Sequence, residues 1–391
     1  MKNLQMKYNL LHILYWITSL TIYGYIAIFL QYKGLTNTQI GIVSGLGAFL
    51  SIFISPFISS LLEKVKGLTI KKLTFQLYIL MFIVFAILTF IDLPLIFIMI
   101  LYISLLCLIV SVVPFLSMIC MNYLKSGEYI DFGLARGMGS VAYAIGAVVV
   151  SQLISMINPS ILSYVHLISS SLMLWILFSM PNSEIATSEK QEKGSSAFGI
   201  IQKYRTFFFI LLGFAFMLGA SQTISTYLIN IVTRLGGNTS LYGIAIFCMA
   251  ASEMPVMAKT YQLMKKFNGE TLILASTLFY VVRNFTICFA PNLIVLLIGM
   301  MFQGISYGLF TATIAYYVND HLKAEDQMMG QTMIGMMSTG LGATIGNVVG
   351  GYLQDTFGIN SMFTFVCIMT IIGFVVMYLT LHKKVKLRKV S

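Results

Sequence analysis

The chain has 391 residues, of which 58% are hydrophobic and only 9% charged. A soluble domain carries roughly 25% charged residues, so this composition excludes a water-exposed surface and reads as an all-α integral membrane protein. The net charge of +11 does not imply nucleic acid, because the basic residues lie in loops between apolar runs and no basic stretch alternates with aromatics.

A helix needs about 20 apolar residues to cross the hydrocarbon. The run that follows Lys2 and Lys7 continues to about Leu30, whereas a secretory leader core is only ~7–15 residues, so a retained first helix is expected. Breaks at charge, Gly, Pro and Asn clusters then predict twelve transmembrane helices, at roughly 8–32, 38–62, 73–91, 94–123, 132–157, 160–180, 205–232, 240–264, 271–290, 292–318, 328–353 and 360–382. The longest polar stretch, 181–205, divides them six and six. The expected organisation is an N-terminal six-helix bundle over 1–182, a cytoplasmic linker over 183–204, and a C-terminal six-helix bundle over 205–391 with a basic cytoplasmic tail. Twenty Lys and Arg fall on the side that holds both termini and two, Lys33 and Arg234, on the other. The expected location is a multi-pass cell (cytoplasmic) membrane protein with both termini cytoplasmic.

A shift of 202 residues superposes the second and eighth runs without a gap. Gly34, Gly41, Ile42, Ala48, Lys64, Gly67, Thr69 and Tyr78 meet Gly236, Gly243, Ile244, Ala250, Lys266, Gly269, Thr271 and Tyr280. Apolar segments share letters by chance, but matched glycines and a lysine at loop boundaries point to two parallel halves, the arrangement of carriers that rock about a midplane site. Further segments carry a family likeness: Pro56 with Glu63, Lys64, Gly67, Lys71 and Lys72 between the second and third runs, 131–140 leading into the fifth, and 264–269 leading to Arg283. In these the chain resembles the major facilitator superfamily, and within it the branch of lactose permease and related sugar or nucleoside proton symporters. The first of these motifs is degenerate, with Glu63 where the family has Asp and serines where its leading Gly stands.

Charge inside a bilayer is costly and marks function. Glu253 stands near the middle of the eighth run and Arg283 near the middle of the ninth, followed by Asn284. The functional reading is a proton-coupling carboxylate with its guanidinium; the structural one is an ion pair that fixes two helices. The resemblance favours function, since symporters of this branch carry an acid on the eighth span and an arginine on the ninth. Arg136, Ser140 and Tyr143 share one face of the fifth run, at i, i+4 and i+7. That face either holds a polar ring of the substrate, as the permease does with an arginine and an aromatic at matching places, or is an interfacial arginine with a packing tyrosine. Tyr25, Gln222, Asn284 and Gln303 complete the expected substrate-binding set, each equally able to glue helices together. Thr226, Asn230, Ser306, Tyr307, Gln331, Ser338 and Thr339 add polarity to the C-terminal half.

Departures from the permease narrow the reading. Its fourth-span carboxylate would fall near Ser117, its tenth-span His and Glu at Gln303 and Ser306, and its eleventh-span Lys near Thr339, which argues against lactose itself. The string 304–308 spells G-x-S-x-G, but mid-helix and without a His or carboxylate on the same run it is no hydrolase elbow. The glycines of 340–346 are no dinucleotide loop and serve close helix approach. Five scattered cysteines and four scattered histidines offer neither a disulfide framework nor a metal site.

The expectation is therefore a non-enzymatic secondary active transporter without metal or cofactor. It would take up a small polar neutral solute (sugar, glycoside or nucleoside) with protons by alternating access, working as a monomer in the lipid bilayer. The rival is an exporter of amphipathic drugs or peptides driven by proton antiport, to which 25 Met and 29 Phe would give an adaptable lining. An intramembrane enzyme would need a nucleophile–base or metal constellation that the sequence does not offer.

Overall fold

Almost every described residue is helical, and a few polar side chains set where several helices begin. The structure, a computed structural model, describes residues 4–181 and 196–382, apart from the side chains of Glu63 and Ser338. Most of the expected linker and the basic tail from Lys383 lie outside the described residues. The chain divides into two compact units, 1–189 and 190–391.

In the N-terminal unit the first run is not the single helix that the sequence predicts. Leu4–Ser19 passes into a π-helical segment, Leu20–Gly24, bends by 57° at Tyr25 and continues as Ile26–Tyr32. Spans two to six are Asn37–Lys64, Ile70–Phe90, Leu95–Lys125, Phe132–Met156 and Ile161–Ser179.

The C-terminal unit begins with a short helix, Ala197–Lys203. Its seventh span also breaks, into Arg205–Thr226 and Leu228–Arg234. The eighth and ninth are Thr239–Lys266 and Gly269–Cys288, and the twelfth is Ile359–Leu381. Two runs predicted as plain helices contain π-helical segments: the tenth is Leu293–Met301, Gly304–Gly308 and Leu309–His321, and the eleventh is Ala324–Gly335, Met336–Gly342 and Ala343–Phe357. Among the described residues ten helices are long and apolar enough to cross a membrane, and the bent first pair makes eleven. The eleventh run, in pieces of 12, 7 and 15 residues, stands outside this count because no piece is long enough to cross alone. Large apolar side chains such as Phe53, Phe97, Ile168 and Leu379 stay exposed along these helices, where they face lipid.

The 202-residue repeat has a structural cause. Gly34 and Gly236 both adopt positive φ (90° and 78°) in the turn before the second helix of each unit, a conformation that a side chain disfavours. Two residues later Thr36 and Asn238 cap that helix, accepting from the backbone N–H of Gln39 and Leu241. The correspondence extends to the helix breaks. Tyr25 and Tyr227 are both fully buried, and each donates its hydroxyl to a carbonyl of the fifth helix of its own unit: Ala147 at 2.5 Å and Asn347 at 3.0 Å. The break in the first helix of each half is thus pinned by the same device.

Glycines bring the seventh, eleventh and twelfth spans into backbone contact. A Cβ added at Gly346 would stand 2.3 Å from the Gly219 carbonyl oxygen, one at Gly342 2.3 Å from that of Ala215, and one at Gly373 2.7 Å from that of Gly213. Without such close approach, helices in lipid have little to draw them together. Gly346→Ala is expected to destabilise the purified protein by about 1–3 kcal/mol, the cost of overpacking a tight contact, whereas Gly335→Ala, with nothing within 4 Å of its added Cβ, should be neutral. Thermal-unfolding midpoints of the two variants in detergent check this.

Candidate functional site

In the C-terminal unit the buried polar groups gather around Arg283. Its side chain has no solvent exposure. One terminal nitrogen, Nη1, donates to Ser221 Oγ at 3.0 Å and to Asn284 Oδ1 at 2.9 Å. Asn284 is equally enclosed; its Nδ2 donates to Thr370 Oγ1 at 2.9 Å, and its Oδ1 also accepts from Ser221 Oγ at 3.3 Å. One cation therefore ties the seventh, ninth and twelfth spans together. Its Nε and Nη2 meet no acceptor among the described residues, nor does the buried hydroxyl of Tyr280 one helical turn earlier.

Glu253 lies in electrostatic range of both Arg283 and Tyr280. It is half-buried and accepts from Gln303 Nε2 at 3.2 Å. Arg283 and Glu253 thus act on each other electrostatically across the eighth and ninth spans. The π-helical segment of the tenth span explains how Gln303 reaches the carboxylate. Gly304 has no side chain, so the Ser252 carbonyl oxygen comes within 2.0 Å of where a Cβ would lie, and the Gly304 N–H donates to Ser252 Oγ at 3.0 Å. Gly308 lies against Glu253 itself. The string that mimics a hydrolase elbow is thus the contact surface between the eighth and tenth spans. Gln222, beside Ser221, is half-buried and makes no hydrogen bond among the described residues.

The N-terminal unit brings together a different set. The Arg136 guanidinium stacks 4.2 Å over the Trp16 ring, and its Nη1 donates to Ser140 Oγ at 2.7 Å. Tyr143 meets the same indole edge-on at 5.8 Å. The fifth span can approach because Gly139 faces Trp16, where a Cβ would stand 2.3 Å from the ring. Arg136 is exposed while Trp16 and Tyr143 are half-buried, so a cation and two aromatic rings share one accessible face. Tyr25 is fully buried at the helix break, in electrostatic range of Tyr143.

Sequence reasoning missed several of these groups. Trp16 is one of only two tryptophans, and that rarity was the available signal. His166, an ionisable residue inside an apolar run, stacks on Phe85 at 3.9 Å and pairs through Nδ1 with Thr21 Oγ1 at 2.9 Å, beside the first π-helical segment. Ser221 and Thr370 carry no signal, being common residues in such helices. Asp326 lies just outside the predicted eleventh run. It is fully buried and accepts from Lys203 Nζ at 2.5 Å and Tyr204 Oη at 2.9 Å, which fastens the Ala197–Lys203 helix to the start of the eleventh span. The hydrogen bond to Asp326 holds the Lys203 ammonium above its ordinary pKa. A group of three or more His, Cys, Asp or Glu suited to a metal ion does not occur among the described residues.

Relatives match this architecture. The maltose permease of Geobacillus stearothermophilus is 25% identical over 252 residues, 64% of this chain and 63% of that protein, so the alignment spans less than two thirds of the permease. The transporter YwbF of Bacillus subtilis (strain 168), itself uncharacterized, is 25% identical over 361 residues, 87% of this chain and 84% of YwbF. Among solved structures, the nucleoside transporter NupG superposes with a TM-score of 0.79 at 17% identity, covering 97% of this chain and 98% of NupG. The MFS_1 like family matches residues 5–365, nearly the whole chain, and the chain belongs to that family of major facilitator membrane transporters.

Proposed function

We propose that the protein imports a small polar neutral solute, a sugar, glycoside or nucleoside, together with protons by alternating access, with both termini in the cytoplasm. The observation that carries this reading is Glu253, a mid-span carboxylate hydrogen-bonded to a neutral amide and in electrostatic range of a fully enclosed arginine. Such an acid is open to both states, because desolvation favours the neutral form and a nearby positive charge the ionised form. Arg283 keeps its place through Ser221 and Asn284 whichever state Glu253 holds. The accessible face of Trp16, Arg136 and Tyr143 suits a polar ring, with apolar stacking on the aromatics and guanidinium donors for hydroxyl oxygens. Gln222, Asn284 and Gln303 provide polarity on the C-terminal side, and Tyr25 acts by holding the bend of the first span. A maltose permease and a nucleoside transporter among the similar proteins agree with this solute class. Orientation follows from the excess of Lys and Arg on the side of the termini.

Two variants test the reading. Glu253→Gln keeps shape and hydrogen bonding but cannot cycle a proton. In proteoliposomes it is expected to abolish uphill accumulation driven by a pH gradient while retaining exchange of labelled solute down its gradient; full accumulation would reduce Glu253 to a helix-packing group. Arg136→Lys removes the planar fork and its stacking on Trp16 and should weaken solute binding at least tenfold, about 1.4 kcal/mol, with unchanged expression. Isothermal titration against a panel of sugars and nucleosides measures this, and unchanged affinity would return Arg136 and Tyr143 to a packing role. Dye efflux from cells without solute uptake would favour the exporter.

A further inference from the structure

We infer that Gln303 is the positioning residue that lets Glu253 change protonation state without losing its hydrogen bond, its side-chain amide turning over as the carboxyl gains or loses a proton. This rests on the proton-coupling reading above and names the group that poises it.

Gln303 stands where Leu293–Met301 passes into the π-helical segment Gly304–Gly308, and only 9% of it is exposed. Its Nε2 donates to Glu253 Oε1 at 3.2 Å, while its own Oε1 is enclosed with no donor among the described residues. Enclosed acceptors without a donor are uncommon in folded proteins and call for an explanation. The carboxyl itself, already bonded to the other end of this amide, is able to supply a donor. An ionised carboxylate only accepts, whereas the protonated acid has one O–H to give. A side-chain amide carries a donor and an acceptor on one carbon, and its terminal torsion is broad and roughly two-fold. A half turn therefore exchanges them. When a proton arrives on Glu253, an O–H bond forms, the N–H···O bond from Gln303 breaks, and an O–H···O=C bond to Gln303 replaces it. Release of the proton reverses each change. In either state one end of the amide meets Glu253 and the other lies in the same enclosed place, so the two states differ little in hydrogen bonding.

The surroundings favour rotation of the amide over movement of the helices. Gly304 and Gly308 lock the two backbones against each other around Ser252 and Glu253. Arg283 and Tyr280 from the ninth span lie in electrostatic range of Glu253, and Tyr307 from the π-helical segment in range of Tyr280. The Leu293–Met301 helix contributes no titratable side chain.

Infrared difference spectroscopy of the reconstituted protein between high and low pH tests the inference, with isotope-labelled glutamine to identify amide bands. The expected result is loss of a carboxylate band and gain of a protonated carboxyl band, both absent in Glu253→Gln, together with a paired shift of a glutamine side-chain amide that is absent in Gln303→Met. In Gln303→Met both protonation states lose their partner, so the pH midpoint of the carboxyl bands should move by less than about one unit. Carboxyl bands without any glutamine amide shift would overturn the inference and leave the proton reading standing. Absence of Glu253 carboxyl bands at every pH would overturn the proton reading, and this inference with it.

Discussion

A guanidinium with no exposure, in the middle of a span, is the constraint around which the C-terminal unit is arranged. Placing an arginine at the centre of a transmembrane helix costs about 2.5–3.5 kcal/mol on insertion scales. Hydrogen bonds from a charged donor return ~1.5–3 kcal/mol each, and Arg283 makes two, to Ser221 and Asn284. Those bonds require the seventh span to lie within reach of the ninth, and Asn284 extends the demand to Thr370 on the twelfth. Gly219, two residues before Ser221, and Gly346 make the matching close approach between the seventh and eleventh spans possible. Charge at the centre and missing side chains at the contacts are two parts of one solution, because a polar cluster in lipid survives only where helices pack closely enough to enclose it.

The two units share a scaffold and differ in chemistry. The same turn glycine, the same cap and the same tyrosine-pinned break recur 202 residues apart. At the positions 202 residues before Glu253 and Arg283 stand Ser51 and Met81. The N-terminal unit thus lacks the charge pair and instead presents Arg136 on an aromatic face with Trp16 and Tyr143. The two units keep the same turns and caps and differ in the polar side chains that they carry. Coupling chemistry in one half and ring recognition in the other is the division of labour that the proposed function uses.

Much of the fold is legible in the sequence, because the bilayer leaves few options. A span needs an unbroken apolar run, a turn needs Gly34 or Gly236, and a helix start needs Thr36 or Asn238. The breaks at Tyr25 and Tyr227 and the π-helical segments are not legible, for a definite reason. A helix that is apolar all round has no polar face whose register could reveal an inserted residue or a bend. The site divides the same way. Glu253 and Arg283 stand out as charges among apolar neighbours, but Ser221 and Thr370 are ordinary residues in such helices, and only folding brings them to Arg283 and Asn284. Trp16 lies on a different helix from Arg136, and no local spacing links the two. Gln303 reads as one polar residue among several; its meaning comes from the carboxylate 3.2 Å away.

The account stands on Glu253 carrying a proton with the solute. The most direct measurement is the pH of a weakly buffered medium outside de-energised vesicles that contain the protein, while a sugar or nucleoside that binds it is allowed to flow inward down its own gradient. The account predicts alkalinisation of the medium that tracks solute influx, collapses with a protonophore and is missing in Glu253→Gln. Solute influx at a normal rate with no change in external pH would contradict it.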